Sequence, residues 1–348
     1  MIAEEGGFYR TILSYLSKKK KKERIIPVLW VVGQTYASLS GVSYEEYYKN
    51  PELMLRTQIK FFEEFKDTFT LPGIWPDLGL IPEAGALGCE VKFFSYQDPQ
   101  ILRPALSLQD VNKLRVPDPS EAEYTRIVLK YLRYFKYNLP SSVQEKFEFL
   151  DGHVFCGGPG EVSALVVGYD QFLIGMYDFP QKVHILIRKV TNFIKDYIEA
   201  QLEIVGPPKR VIIWDHSPGM CSFNLYREFI HPYLKEIFLT YNQAEVRVYH
   251  NENNYTHLLP LIKELKANIY HIGPDQDLNK SSEILKGCIM GNIHPIKVLL
   301  RSTPDHIKKI CREKVSNFKG KCLLLSTGGG MAPKTPLENI RALVNWNK

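Results

Sequence analysis

Two side chains that can hold a metal ion or move a proton, His250 and Glu252, directly follow an apolar run in the stretch VRVYHNENNY (246–255). Imidazole nitrogens and carboxylate oxygens are common zinc ligands, and both groups also serve as general acids or bases. His250 and Glu252 are therefore candidate catalytic residues and candidate metal ligands. A solvated loop is the alternative interpretation of the same polar residues.

Polar residues also stand where other apolar runs stop. Asp215 ends the run RVIIWD and is a further candidate catalytic residue, and His271 lies near the end of NIYHIG. Either side chain would complete or orient a metal site built on His250 and Glu252. Asp215 is also a good cap for a following helix. His216 is interpreted as a loop residue.

A glycine run and several aromatic residues are the candidates for ligand contact. The run lacks the Lys-Ser/Thr of a Walker loop, which argues against nucleotide binding, and glycine lets the backbone approach a large ligand closely. The glycines are Gly328, Gly329 and Gly330. The candidate substrate-binding residues are Tyr36, Trp214, Tyr255 and His271. Core packing is the alternative for any aromatic side chain.

The apolar runs themselves predict the scaffold that gathers these strand ends. They alternate with longer helix-like segments, which predicts a parallel sheet covered by helices. The runs are IIPVLWVV (25–32), HVFCGG (153–158), RVIIWD (210–215), VRVYH (246–250), NIYHIG (268–273), GCIMGN (287–292) and KCLLLSTGGG (321–330). The helix-like segments are 178–204, 222–243, 255–267, 278–286, 303–318 and 335–346.

The closed (β/α)₈ barrel is favoured over an open, doubly wound sheet. No GxGxxG follows the first run, and the last five repeats continue evenly without a break into halves. In such a barrel the active site lies at the carboxyl ends of the strands, where the polar residues stand. We expect residues 25–348 to form one barrel, 1–24 a helical and then basic extension, and the Pro/Gly-rich region 33–150 long insertions over the mouth.

Composition restricts the class of protein. With 45% hydrophobic and 24% charged residues, the chain is expected to be soluble and globular, and no apolar run has the length of a membrane span. Six scattered cysteines without CxxC spacing predict reduced thiols, and with no signal peptide we expect a cytoplasmic protein. The net charge of +6 owes much to Lys18–Lys22, interpreted as a solvated helix end rather than a nucleic-acid site. An acidic protein partner is the alternative for that lysine run.

Five stretches after residue 150, in order, resemble the uroporphyrinogen decarboxylase superfamily, which also contains cobalamin-dependent methyltransferases. They are GGPGEVSALVVGYDQFL (157–173), WDHSPGMCSFNLYREFIHPYLKEI (214–237), VYHNEN (248–253), MGNIHPIKVLLRSTPDHI (290–307) and STGGGMAPKTPLENIRALV (326–344). The segment YYKNPELMLRTQIKFFEEF (47–65) resembles the family's N-terminal helix. The resemblance implies a barrel of the uroporphyrinogen decarboxylase type and a homodimer as one oligomeric state.

Departures from the family pattern point to one branch. The arginines with which the decarboxylases grip tetrapyrrole carboxylates have no counterpart in Val31–Tyr36. The thiol-methylating members hold zinc with His-x-Cys and a later Cys, and here Glu252 and Gly329 stand at the two Cys positions. His250, Glu252 and one further ligand would form a harder zinc site, which suits a Lewis acid acting on oxygen.

The resemblance therefore implies a corrinoid-dependent methyltransferase that demethylates a methoxylated aromatic compound. The cobalt(I) corrinoid would be carried by a partner protein and contact the glycine run, since the Asp-x-His-x-x-Gly signature of corrinoid-binding domains is absent. Three alternatives stay open: methyl transfer to or from a thiol or an amine, decarboxylation of a smaller substrate, and a non-catalytic binding protein.

Overall fold

Eight parallel strands form the central sheet of the structure, a computed structural model that describes residues 25–147 and 150–348. The extension expected over 1–24, with its lysine run, lies outside these residues. In chain order, the strands of the described residues, including two that lie outside this sheet, are β1 (Ile26–Trp30), β2 (Phe69–Leu71), β3 (Glu90–Lys92), β4 (Gln100–Arg103), β5 (His153–Gly157), β6 (Arg210–Trp214), β7 (Val246–Asn251), β8 (Ile269–Ile272), β9 (Cys288–Ile293) and β10 (Leu323–Thr327). Strands β3 and β4 form a separate antiparallel pair.

The eight-stranded sheet is curled into a barrel. Its order, β2-β1-β10-β9-β8-β7-β6-β5, follows the chain, and the first strand pairs with the last. The ring of Trp30 on β1 lies 4.5 Å from that of His250 on β7 and 6.4 Å from that of Phe155 on β5. Strands four and more places apart in a flat sheet are too distant for such contacts. The predicted (β/α)₈ barrel is therefore confirmed.

The barrel is completed by side chains at one seam. Among the described residues, no backbone ladder joins β2 to β5. Instead Glu83 accepts a hydrogen bond from the backbone N–H of Gly157 at 2.8 Å, and the Trp75 ring packs edge-on against His153, with centroids 4.9 Å apart. The segment after β2 thus supplies the partners that a neighbouring strand would otherwise give to β5.

Helices flank the sheet. Within the described ranges they are α1 (Gly33–Leu39), α2 (Tyr44–Lys49), α3 (Pro51–Glu64), α4 (Pro82–Ala86), α5 (Glu123–Asn138), α6 (Ser141–Phe147), α7 (Pro159–Val167), α8 (Tyr169–Asp178), α9 (Pro180–Val205), α10 (Phe223–Leu225), α11 (His231–Thr240), α12 (Leu259–Ile262), α13 (Leu278–Ile284), α14 (Pro304–Asn317) and α15 (Leu337–Val344). Short 3₁₀-helices lie at Leu108–Lys113, Ser217–Met220, Thr256–Leu258 and Lys263–Leu265, and short π-helices at Tyr226–Ile230 and Pro295–Leu300. None of the described helices has the length and apolar character to cross a membrane.

Helix α9 shows how the sequence defines an element. Pro180 stands in its first turn, where the missing N–H has no intrahelical acceptor, and Gly206 ends it with φ of 91°, in the left-handed region that favours glycine. Its buried residues recur every three or four positions, so one apolar face packs against β5. Each large apolar side chain on that face contributes about 1.5–3 kcal/mol when fully buried.

Seven predicted strands are confirmed, while the region 33–150 differs in part from the long insertions expected there. It does not consist solely of insertions, since it holds the barrel strand β2 and the helices α1 to α6. The helix predicted over 255–267 is broken into short turns. The expectation of six free thiols is wrong for one pair, because Cys288 and Cys322, neighbours in the register of β9 and β10, form a disulfide. The other four cysteines are free and buried.

Candidate metal centre

The strand register brings three distant residues side by side inside the barrel. Trp214, His250 and His271 occupy matching positions on β6, β7 and β8. Trp30, at the end of β1, packs against both histidine rings, with centroids 4.5 Å from each. The Trp30 ring therefore shields one side of both imidazoles from water.

His216, His250 and Glu252 form the cluster at the mouth. One ligand atom from each lies within 4.8 Å of the other two, and Nε2 of His250 is 3.4 Å from Oε1 of Glu252. His216 offers Nε2, which is buried and has no hydrogen-bond partner. The Glu252 side chain is 43% exposed and His250 only 4%. The cluster is thus buried on the histidine side and open on the carboxylate side.

A chain of hydrogen bonds fixes the proton positions on the two neighbouring histidines, His250 and His271. Nε2 of His271 lies 2.8 Å from the carbonyl oxygen of Thr327, which only accepts, so Nε2 carries the proton. Nδ1 of a neutral His271 is then an acceptor, and Nδ1 of His250, at 2.7 Å, must donate to it. A neutral His250 consequently directs the lone pair of Nε2 towards the Glu252 carboxylate.

The electrostatics of the cluster favour positive charge between these two acceptors. Burial lowers the pKa of His250, and burial together with His250 holds the pKa of His271 well below its usual range. Burial alone would raise the pKa of Glu252, but positive charge on the adjoining imidazoles outweighs it and lowers that pKa. Burial alone would lower the pKa of His216, but the Glu161 carboxylate outweighs it and raises that pKa, so this imidazole is one source of positive charge and a bound metal ion would be another. Two imidazoles and a carboxylate are a ligand set that zinc accepts, with one position left open.

His271 lies behind His250, which is a candidate metal ligand. Its two nitrogens bond to Thr327 and His250, so neither is available to a metal ion, and the residue is fully buried. The structure therefore places His271, a candidate for binding metal or substrate, behind His250 and not among the three clustered residues. Such a partner behind a ligating histidine fixes its tautomer and its ring orientation.

Asp215 caps a helix and lies outside the cluster. Its buried carboxylate accepts hydrogen bonds from the backbone N–H groups of Gly160 (3.0 Å) and Glu161 (2.8 Å) in the first turn of α7, and from the Ser217 hydroxyl (3.0 Å). Burial and the neighbouring Glu161 raise the pKa of Asp215 to about 7. The structure therefore places Asp215, a candidate catalytic residue and metal ligand, in a helix-capping position apart from the cluster.

The candidate substrate-binding aromatics divide into two groups. Trp214 is stacked on the His216 ring, with centroids 5.8 Å apart, and so belongs to the surroundings of the cluster. Tyr36 packs edge-on against Phe61, and Tyr255 packs against Tyr249 on the outer side of β7. Both tyrosines are at most 1% exposed, so the structure places them in the core, without surface for a ligand.

The glycine run makes room for Glu252. A Cβ on Gly329, whose φ is 141°, would lie 2.3 Å from Oε2 of Glu252, and the N–H of Gly330 points at Oε1 from 3.4 Å. The N–H of Gly328 bonds to the carbonyl of Ile293 at 2.8 Å. The close approach of Glu252 therefore explains why glycine occupies position 329, and no contact with a partner protein is needed for that explanation.

His216 is the cluster member that the sequence interpretation missed. A signal was available, because residues two apart in an extended chain share a side. Trp214 points into the barrel, so His216 should follow it and Asp215 should point away. The stacking of Trp214 on His216 and the capping by Asp215 agree with this alternation.

The fold and the cluster define a (β/α)₈-barrel protein with residues able to ligate a metal ion at the carboxyl ends of its strands. The family model for "Uroporphyrinogen decarboxylase (URO-D)" matches residues 10–348, and the chain belongs to this family, as its sequence resemblance indicated.

Relatives and a solved structure are similar over most of their length. Uroporphyrinogen decarboxylase from Coxiella burnetii is 24% identical over 313 residues, covering 85% of this chain and 81% of the relative. The protein of that name from Wigglesworthia glossinidia brevipalpis is 22% identical, covering 95% and 93%. A methyltransferase from Methanosarcina mazei superposes with a TM-score of 0.78 at 21% identity, covering 98% of both chains, which shows a shared fold.

Proposed function

We propose that this protein is a methyltransferase that takes the methyl group from a methoxylated aromatic compound and passes it to the cobalt(I) corrinoid of a separate protein. The observation that carries the proposal is the cluster of His216, His250 and Glu252, which contains nitrogen and oxygen ligands and no thiolate. The methyltransferase name of the Methanosarcina mazei neighbour supports the same class of reaction.

The ligand set suits the difficult part of this reaction. Cobalt(I) in the partner's corrinoid would act as the nucleophile, and as a cobalt–methyl bond formed and the oxygen–methyl bond broke, a phenoxide would have to leave, which is a poor leaving group. Zinc held by His216, His250 and Glu252 would supply Lewis acidity to the ether oxygen. The chain's own contribution is to hold these ligands, to fix the His250 tautomer through His271, and to shield the site with Trp30.

Decarboxylation is the second candidate, because the sequence relatives carry that name. The residues that follow β1 argue against a substrate with many carboxylates. Gln34 and Thr35 stand there and donate hydrogen bonds to the carbonyl oxygen of Met331, at 3.4 Å and 2.7 Å. The groups that lower the pKa of Glu252 are histidines 216, 250 and 271, and they include no arginine, the side chain that binds a carboxylate through two parallel hydrogen bonds.

The deciding experiment uses the purified chain, zinc, and corrinoid proteins reduced to cobalt(I). Methylcobalt formation is followed spectroscopically with a panel of methoxybenzoates, and methylated thiols and amines are tested in parallel. We expect methylcobalt from a methoxybenzoate, loss of that signal in His250→Ala, and full activity in His306→Ala, a change at an exposed histidine. Carbon dioxide release from a carboxylated substrate with no methyl transfer would replace the proposal with the decarboxylase.

A further inference from the structure

We infer that Glu161, a carboxylate outside the cluster, is a positioning residue that orients His216 and thereby sets the affinity of the cluster for zinc. The inference rests on the proposed metal site and extends it to a residue that no ligand touches. It concerns metal affinity, which is measurable without knowing the methyl donor or the corrinoid partner.

Glu161 is held from two sides. It lies in the first turn of α7, is 2% exposed, and accepts hydrogen bonds from the backbone N–H of Ser217 at 2.9 Å and from the hydroxyl of Tyr169. Ser217 directly follows His216, so the first of these bonds also fixes the backbone beside the histidine. The carboxylate thus has one orientation, set before any ligand arrives.

This orientation determines which nitrogen His216 presents to the cluster. Oε1 of Glu161 faces Nδ1 of His216 at 3.9 Å, an electrostatic contact, and the Trp214 ring stacked on His216 holds the plane of the imidazole. A carboxylate opposite Nδ1 favours the proton on that nitrogen and leaves the lone pair on Nε2. Nε2 is the buried atom without a hydrogen-bond partner.

Packing alone does not explain an acid at this position. Glu161 lies beside Asp215, which accepts the hydrogen bond of the Glu161 backbone N–H, so two buried carboxyl groups share one region. Burying a carboxylate costs free energy, and a second acid nearby adds to that cost. A neutral side chain would fill the space at lower cost, and the gain from Glu161 is the orientation of His216.

The test measures zinc affinity by competition with a chromophoric chelator. Removing a partner behind a ligating histidine typically weakens metal binding by about 10- to 100-fold, and we expect this loss for Glu161→Gln. Tyr169→Phe removes the hydrogen bond from the Tyr169 hydroxyl to the Glu161 carboxylate, and it should also weaken zinc binding. Tyr241 donates to Glu199 at 2.8 Å in a similar pair away from the cluster, so Glu199→Gln is the matched control and should bind like wild type.

A double variant separates positioning from general damage. If Glu161 acts through His216, Glu161→Gln has no further effect on zinc affinity in a His216→Ala background. Full additivity there, or wild-type affinity in Glu161→Gln, overturns the inference and leaves the metal site standing. Absence of zinc binding in the wild type overturns both. If Glu161→Gln does not fold, Tyr169→Phe decides, and wild-type affinity in that variant rejects the positioning role.

Discussion

Replacing His271 with phenylalanine tests the hydrogen-bond chain beneath the cluster. Phenylalanine keeps an aromatic ring against Trp30, whose centroid lies 4.5 Å from the His271 ring, but it neither donates nor accepts. Two buried groups then lose their partner, the carbonyl of Thr327 and Nδ1 of His250. Each unsatisfied buried group costs about 1–3 kcal/mol, so the free energy of unfolding should fall by about 2–6 kcal/mol.

The same change should weaken zinc binding. Without an acceptor at Nδ1, His250 is free to place its proton on Nε2, the nitrogen that faces Glu252. We expect a loss of about 10- to 100-fold in zinc affinity, the usual effect of removing such a partner. Denaturant unfolding without zinc gives the stability change, and chelator competition gives the affinity change.

His153→Phe is the matched control for this prediction. His153 is also a buried histidine on a barrel strand with its ring against a tryptophan, Trp75, but in the described part of the chain neither of its nitrogens has a hydrogen-bond partner. It should lose no hydrogen bond and keep wild-type zinc affinity. If His271→Phe binds zinc as tightly as His153→Phe does, the assignment of protons along the chain is wrong.

Three further changes probe the glycine run, the seam and the metal. Gly329→Ala and Gly206→Ala both force alanine to positive φ, at a cost of about 1–3 kcal/mol each. Only the Cβ at position 329 would meet Glu252 and displace it. Gly329→Ala should therefore lose zinc affinity in the chelator assay, and Gly206→Ala should not. Burial raises the pKa of Glu83 to about 7 from an ordinary value near 4.5, so its contribution to stability is fully present below about pH 4.5 and is lost as pH rises through 7. Relative to Glu83→Gln, the wild type should lose about 3 kcal/mol of unfolding free energy over that range, and a flat difference in denaturant titrations would contradict this. Zinc at 100 times its Kd should raise the unfolding free energy by about 2.7 kcal/mol in the wild type, reversibly by chelation, and not in His250→Ala.

The sequence predicted the barrel because parallel strands buried on both faces are continuous apolar runs. Strand β2 escaped this reasoning, since its three residues, Phe69–Leu71, are too few to form a recognisable pattern. The seam could not be foreseen either. Glu83 and Gly157 are 74 positions apart, and nothing local in the sequence relates them.

The site was predictable to the extent that it follows strand ends. His250 and Glu252 were found because they stand two residues apart where one strand stops. Asp215 was named as a candidate and His216 was not, because the type of a residue does not say which way its side chain points. Hydrogen bonds from the first turn of α7 turn Asp215 towards that helix, and this contact spans more than 50 positions.

Intrinsic tryptophan fluorescence can report changes of charge at the cluster. The chain has four, and two of them stack on imidazoles at the mouth: Trp30 on His250 and Trp214 on His216. A change of charge on either ring alters the field at the adjacent indole, so the intrinsic fluorescence should respond when a cation arrives. Trp75 packs against His153, which is not part of the cluster, so its fluorescence supplies a constant background. Replacing Trp30 and Trp214 singly with phenylalanine would then show which imidazole is engaged first.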